Sequence, residues 1–294
     1  MSRDSQVLPW GIDRVDADVS STRAGDGQGA VSNIHVYIID TGVDTRHPDL
    51  NVVDHVNFAG GPNRDCHGHG THVAGIAAAS DNTMDVVGVA PGAPITGVKV
   101  LDCKGSGLTS DVIKGVDWVT ANAVKPAVAN MSLGGGAAQA LDDAVIRSAD
   151  SGVFYSIAAG NFGSDACYYS PSRAGVHDGV VTVAATDSTD TEAGWSNYGS
   201  CVDLWAPGVN ILSTWPGGGT TTLSGTSMAA PHVGGSGALY LSSVPAATPA
   251  DVEAALKLSA ITPSSSTVQG KGSSTTPKTS KDGRAIQLVN VRNY

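Results

Sequence analysis

Glutamate is almost missing from this chain: of 27 acidic residues only Glu192 and Glu253 are glutamate. Charged residues as a whole make up 15% of the 294, against roughly 25% in an average globular protein, and aromatics make up 5%. No apolar run approaches the ~20 residues that a membrane-spanning helix needs. The start, Met1-Ser2-Arg3-Asp4-Ser5-Gln6, is polar and lacks the apolar stretch of a secretory signal. Basic residues are outnumbered 17 to 27, and a net charge of −10 opposes non-specific attraction to nucleic acid or an anionic membrane. Neither is expected as a partner. None of the four cysteines, Cys66, Cys103, Cys167 and Cys201, stands in a C-x-x-C pair, which argues against a zinc knuckle or a thioredoxin-like site.

What is present is glycine, 37 residues, and a hydrophobic fraction of 41%, too apolar for a disordered chain. At ~100–200 residues per domain the length allows one large domain or two modest ones. An even cysteine number with an Asp-rich, Lys-poor composition points to a secreted protein with two disulfides; four buried thiols in a cytosolic protein is the alternative.

Apolar β-branched runs alternate with helical patterns along the chain. Residues 34–39 (Ile-His-Val-Tyr-Ile-Ile) read as a buried strand, and 95–101, 127–131, 153–158 and 180–184 read likewise. Between them helices are predicted over about 69–80, 109–123 and 139–151, then a small-residue helix over 226–244 and a shorter one over 249–260. Such alternation implies a single α/β domain over 1–294 with a mainly parallel central sheet flanked by helices on both faces. Residues 262–282 are Ser/Thr-rich and of low complexity, and read as a loose, flexible surface loop. Residues 284–294 regain alternation and are expected to dock as a last strand.

Three segments carry polar residues the scaffold does not need. Asp40-Thr41-Gly42 follows the first strand, at the carboxyl end where ligand sites of open α/β sheets lie. Alone, such an acid reads more readily as a cap or turn residue. His67-Gly68-His69-Gly70-Thr71-His72 packs three histidines into six residues, yet no glutamate accompanies them as in H-E-x-x-H zinc peptidases. Ser224-Gly225-Thr226-Ser227-Met228-Ala229-Ala230-Pro231-His232 places Ser227 at the start of the small-residue helix, where developing anionic charge is favoured. Pro231 is expected within the first turn, where its missing N–H costs little. A G-x-S-x-G elbow is absent, because Ala229 stands where the last glycine would be. Ala158-Ala159-Gly160-Asn161, after another strand, offers a carboxamide able to donate to an oxyanion.

Together, in the order Asp, His, Ser, these segments resemble the three signatures of subtilisin-like serine proteases. Residues 9–243 follow that pattern nearly continuously and are most similar to the proteinase K branch; the stretches at 132–136, 196–199 and 206–208 fit as well. The resemblance implies a serine endopeptidase acting on proteins and peptides. In it Ser227 is the nucleophile, His69 the base and Asp40 the residue that orients the imidazole. The Asn161 side chain and the Ser227 N–H would form the oxyanion hole, and His67 and His72 would be structural. Gly105, Ser106 and Gly107 on one side and Ser132, Leu133 and Gly134 on the other resemble the two edges of an extended-peptide cleft. Ala158, Ala159 and Gly160 would line an uncharged pocket for the residue before the cut, giving broad apolar or aromatic preference.

The same resemblance implies disulfides Cys66–Cys103 and Cys167–Cys201, and structural calcium with no catalytic cofactor. Asp203 matches a calcium ligand, joined by carbonyls near Asp178 and Val180; Asp13 and Asp16 resemble part of a second site in some relatives, ordinary solvated aspartates being the alternative. Family members are made with a pro-segment that would be the chain's own partner in the precursor, and the mature form is expected to be a secreted monomer. A targeting segment and pro-segment are accordingly expected to have been removed or omitted ahead of Met1. Three rival readings make different demands on these residues. A catalytically silent binding domain should have lost one of Asp40, His69, Asn161 or Ser227. An acid-active carboxyl peptidase needs a glutamate where His69 stands. Esterase action remains compatible as a side activity.

Overall fold

The computed structural model describes residues 5–269 and 272–294; Met1–Asp4, and Gly270 and Lys271 of the predicted loop, lie outside them. In chain order the elements are α1 (Trp10–Arg14), β1 (His35–Asp40), β2 (Val52–Asn57), α2 (His69–Ala78), β3 (Ile95–Lys99), α3 (Thr109–Asn122), β4 (Ala127–Met131) and β5 (Gly135–Gly136). There follow α4 (Gln139–Asp150), β6 (Val153–Ala158), β7 (Tyr169–Ser170), β8 (Val180–Thr186), β9 (Leu204–Pro207), β10 (Ile211–Thr214) and β11 (Thr220–Leu223). The chain closes with α5 (Thr226–Ser243), α6 (Pro249–Ser259), β12 (Ser264–Gln269) and β13 (Gly272–Pro277).

Seven strands pair in the order β2-β3-β1-β4-β6-β8-β9, every pairing parallel. Alternation along β1 explains the layers. Val36 and Ile38 face a core shared with α2, α5 and α6, whereas Tyr37 and Ile39 face the core under α3 and α4. Strands buried on both sides are apolar throughout, which is why their runs were continuous in the sequence. Helix α5 lies against β4, β6, β8 and α2, so its small residues are a packing requirement. A Cβ on Gly237 would stand 2.6 Å from the Phe154 ring, and one on Gly234 would stand 2.7 Å from Ser156 Oγ.

From β1 the chain first builds outward through β2 and β3, then crosses to β4 on the other side. The strand order therefore reverses between β1 and β4, where parallel sheets leave a crevice beyond their carboxyl ends. Asp40 ends β1, Ser132 follows β4 and Asn161 follows β6, so three of the singled-out segments reach the same edge of the sheet.

Two expectations change. Residues 264–277 pair as an antiparallel hairpin, β12 with β13, instead of running as an irregular loop. Ser/Thr tracts contain β-branched residues that suit a pleated strand, which a reading from low complexity overlooks. Residues 284–294 dock through buried Ile286, Leu288, Val289 and Val291. Only Leu288 bridges to the sheet, at Trp205 of β9.

Candidate active site

Asp40, fully buried, accepts from His69 Nδ1 through both oxygens, at 2.8 and 3.0 Å, and its Oδ1 also accepts the Thr41 N–H at 2.7 Å. Its carboxylate is thereby fixed against the Nδ1 side of the imidazole, leaving His69 Nε2 free of that contact. Burial disfavours the imidazolium, but the Asp40 charge and hydrogen bond, with the field of Asp65 added, outweigh it and hold the His69 pKa above the ordinary histidine value.

Asp65, which sequence reading passed over, sets the start of α2. It is buried, and it accepts from the His67 and Gly68 N–H groups, the Thr71 N–H and Oγ1, and Thr41 Oγ1. Thr41 Oγ1 in turn accepts the Gly70 N–H at 2.9 Å. One carboxylate so ties the end of β1 to the helix that carries His69. Lys99, opposite Asp40 in the β1–β3 register, lies fully buried beneath this knot and donates to the Thr41 and Leu101 carbonyls at 2.8 and 2.7 Å.

Ser227 is the second residue of α5, as the sequence suggested. Pro231 falls one turn further in than expected, inside the helix. Its missing N–H is the one that would have bonded the Ser227 carbonyl. Ser132 Oγ donates to that carbonyl instead, at 2.7 Å. Ser132 Oγ accepts from Asn130 Nδ2 at 2.9 Å, and Asn130 Oδ1 accepts from Ser156 Oγ at 2.9 Å. A buried polar chain thus runs from the middle of the sheet to the backbone of Ser227, repairing the proline's defect while fixing the first turn of α5. The Ser227 hydroxyl itself donates to the Ser132 carbonyl at 3.2 Å, turned toward β4 in this rotamer.

Asn161 accepts through Oδ1 from both the N–H and Oγ1 of Thr226, each at 2.9 Å, which commits its oxygen and leaves Nδ2 as the outward group. A carbon built on Gly225 would lie 3.5 Å from Asn161 Nδ2 and 3.5 Å from the Ser227 nitrogen. Two N–H donors therefore flank one small volume. Gly160 (φ +106°) holds this turn against Asn197, whose Nδ2 would stand 2.4 Å from any Cβ there.

Two cavities meet over these residues. One of about 440 Å³ is lined by His67, His69, Gly105, Ser106, Gly107, Ser132, Leu133 and Gly134 among others. The second, about 130 Å³, is lined by Leu133, Gly134, Ala158, Ala159, Gly160, Asn161 and Ser227 with Phe162 and Tyr169, and no charged side chain lines it. Every residue proposed for the cleft thus faces one or both. His67 borders the larger cavity beside Gly105. His72 lies inside the protein, with Nε2 3.1 Å from the Ile211 and Thr221 carbonyls.

The disulfides pair as Cys66–Cys103 and Cys167–Cys201, closing separations of 37 and 34 residues. Loops of that length correspond to about 4 kcal/mol each in the chain-entropy account. Cys66–Cys103 joins the segment before His67 to the one before Gly105, clamping one end of the larger cavity.

At the two expected calcium positions the carboxylates are bonded from within the protein. Asp203 Oδ1 accepts from Lys257 Nζ at 2.7 Å and its Oδ2 from the Thr182 N–H at 2.8 Å. Asp16 accepts from Asn290 Nδ2 and Arg292 Nε at 2.7 and 3.1 Å, and Asp13 is exposed. Among the described residues no group of three or more carboxylates, imidazoles or thiols is arranged to hold a metal ion. Asp49 is likewise engaged from within. This buried carboxylate accepts from Asn82 Nδ2 and the Val86 N–H, beside the Ser80 and Val86 carbonyls bonded by Gln6. Burial there pushes the Asp49 pKa up to about 7.

A parallel sheet with its Asp–His pair and helix-opening serine at one crevice defines a subtilisin-like α/β protein. Comparison bears out that class. A crystal structure of a cold adapted subtilisin-like serine proteinase superposes with a TM-score of 0.80 at 38% identity, covering 98% of this chain and 99% of that one. Residues 31–283 match the Subtilase family. The chain belongs to that family. It is 48% identical over 258 residues both to an extracellular serine proteinase of Thermus sp. (strain Rt41A) and to alkaline serine exoprotease A of Vibrio alginolyticus. These alignments cover 84% and 83% of this chain but span only 60% and 45% of those proteins. Subtilisin DY of Bacillus licheniformis is 41% identical over 271 residues, covering 91% of this chain and 97% of its own.

Proposed function

We propose that the chain is a secreted serine endopeptidase with Ser227 as nucleophile. The observation that carries the reading is the doubly bonded Asp40–His69 pair at the crevice where Asn161 Nδ2 and the Ser227 N–H flank one small volume. The names of the Thermus and Vibrio relatives support the protease class, and the Thermus name supports an extracellular location.

In the proposed cycle the Ser227 hydroxyl turns from the Ser132 carbonyl toward His69 Nε2, which takes its proton as Oγ attacks the substrate carbonyl. Asp40 keeps the Nδ1 proton in place and stabilises the imidazolium. Charge developing on the carbonyl oxygen is met by Asn161 Nδ2 and the Ser227 N–H, donors already held by Thr226 and the start of α5. His69 then passes its proton to the leaving amine, and water, deprotonated by the same imidazole, releases the acyl group. The uncharged 130 Å³ cavity suits an apolar or aromatic residue before the cut. The facing edges at 105–107 and 132–134 suit substrate backbone in extended form. Calcium has no step in this cycle. Where it binds, it would serve stability by favouring the folded chain.

Turnover of a peptide library tests the reading. Ser227→Ala and His69→Ala should each lower kcat by on the order of 10⁶, and the double variant by little more, as in subtilisin, from which that magnitude comes. Cleavage that survives Ser227→Ala, or occurs mainly after Lys or Arg, contradicts it.

A further inference from the structure

We propose that Lys257 is a built-in counter-ion, its ammonium doing at Asp203 the work that the family resemblance assigns to calcium. The case rests on how completely this corner is satisfied from within. Asp203 and Glu253 bring four carboxylate oxygens together behind the start of β8. Lys257 Nζ donates to Asp203 Oδ1 at 2.7 Å and to Glu253 Oε1 at 2.5 Å. The Thr182 N–H donates to Asp203 Oδ2 at 2.8 Å and the Gly179 N–H to Glu253 Oε2 at 2.5 Å. Each of the four oxygens thus has its own N–H donor.

A calcium ion needs six to eight oxygen ligands at about 2.3–2.6 Å. At Asp203 it would have to displace the ammonium or lie beside it as a like charge. Both carboxylates are largely buried, with side chains 9% and 8% accessible, so neither can turn to solvent to make room. Glu253 and Lys257 stand one turn apart on α6, acid before base, the orientation that favours an i,i+4 pair. Helix α6 is itself fixed by a capping box, Thr248 with Asp251, and by Pro249 in its first turn. A preformed helix therefore delivers the cation to a residue 54 positions earlier in sequence. That Glu253 is one of only two glutamates among 27 acids fits a side chain chosen for its reach.

The test is best carried out in the Ser227→Ala background, so that self-digestion does not enter. Calcium bound per chain is measured by elemental mass spectrometry after dialysis against buffered calcium, for the parent, Asp203→Asn and Lys257→Met. Thermal midpoints are read with calcium and with chelator. The parent and Asp203→Asn should hold equal calcium, whatever binds elsewhere in the chain. Lys257→Met should melt about 5 °C lower in chelator, calcium raising its midpoint more than the parent's, while Lys257→Arg stays near the parent. One calcium fewer in Asp203→Asn would overturn the proposal even if Lys257→Met failed to fold. So would a Lys257→Met midpoint equal to the parent's in chelator.

Discussion

Replacing Asp65 by Asn should destabilise the turn that carries His69 and shift the pH dependence of the proposed reaction without touching any of its reacting groups. Asp65 Oδ1 accepts from Thr41 Oγ1, His67 N–H and Gly68 N–H at 3.0, 3.0 and 2.8 Å; Oδ2 accepts from Thr71 N–H and Oγ1 at 3.0 and 2.6 Å. Asparagine has one oxygen for these five donors. Its least unfavourable pose keeps that oxygen on the first three and turns the amide toward Thr71. The Thr71 hydroxyl can reverse and accept, as it already does from the Asp44 N–H. The Thr71 N–H cannot, and stays buried without a partner. An orphaned N–H costs about 1–3 kcal/mol, and the surviving bonds lose the strengthening of a charged acceptor, so a loss of about 3 kcal/mol is expected. The same change removes one of the influences that raise the His69 pKa. The acid limb of kcat/KM should therefore move to lower pH in the variant, toward the unperturbed histidine value of ~6.5. Peptide turnover between pH 5 and 9, with thermal midpoints of inhibited enzyme, reads both effects. An acid limb and midpoint that both match wild type would refute the role given to Asp65.

Asn161→Asp keeps the acceptor oxygen for Thr226 but puts an oxygen where Nδ2 stands. Steady-state kinetics should show kcat down 10²–10³-fold, about 3–4 kcal/mol, with KM little changed, the magnitude known for the corresponding donor of subtilisin. His72 and His232 are buried neutral, burial pulling each pKa down to about 4. A depressed histidine pKa gives stability that is present above ~6.5 and lost as pH falls toward 4, about 3 kcal/mol each at pH 4. Asp49 and Asp203, with pKa values raised to about 7 and about 6, act in the opposite sense, losing stability as pH rises. The histidine part is isolated by His232→Gln, whose stability between pH 4 and 6.5, from denaturant curves, should vary by one proton less than wild type; identical slopes would count against it.

Much of this architecture could be read from the chain, and the boundary is physical. Strands β4 and β6 and helices α2 to α6 lie within two residues of their predicted ends, because continuous apolar runs and small-residue stripes report burial directly. Strand β2, with Asp54, His55 and Asn57, lies at the sheet edge and carries no such run; β9 to β11 are four residues each. Asp40, His69, Asn161 and Ser227 were legible because their neighbours are glycines and small residues in a distinctive order. Asp65, Lys99 and the Ser156–Asn130–Ser132 chain were not, since each acts through contacts between segments far apart in sequence. The Asp203–Lys257 pair is the clearest case: the resemblance supplied the acid, and only the fold supplied its cation.

The most direct measurement of the central claim is mass spectrometry of the chain after reaction with a fluorophosphonate. A single adduct on Ser227, formed in wild type and abolished in His69→Ala, is the outcome expected if the imidazole held by Asp40 activates that hydroxyl. Labelling at another residue, or labelling of Ser227 that proceeds equally fast without His69, would contradict it.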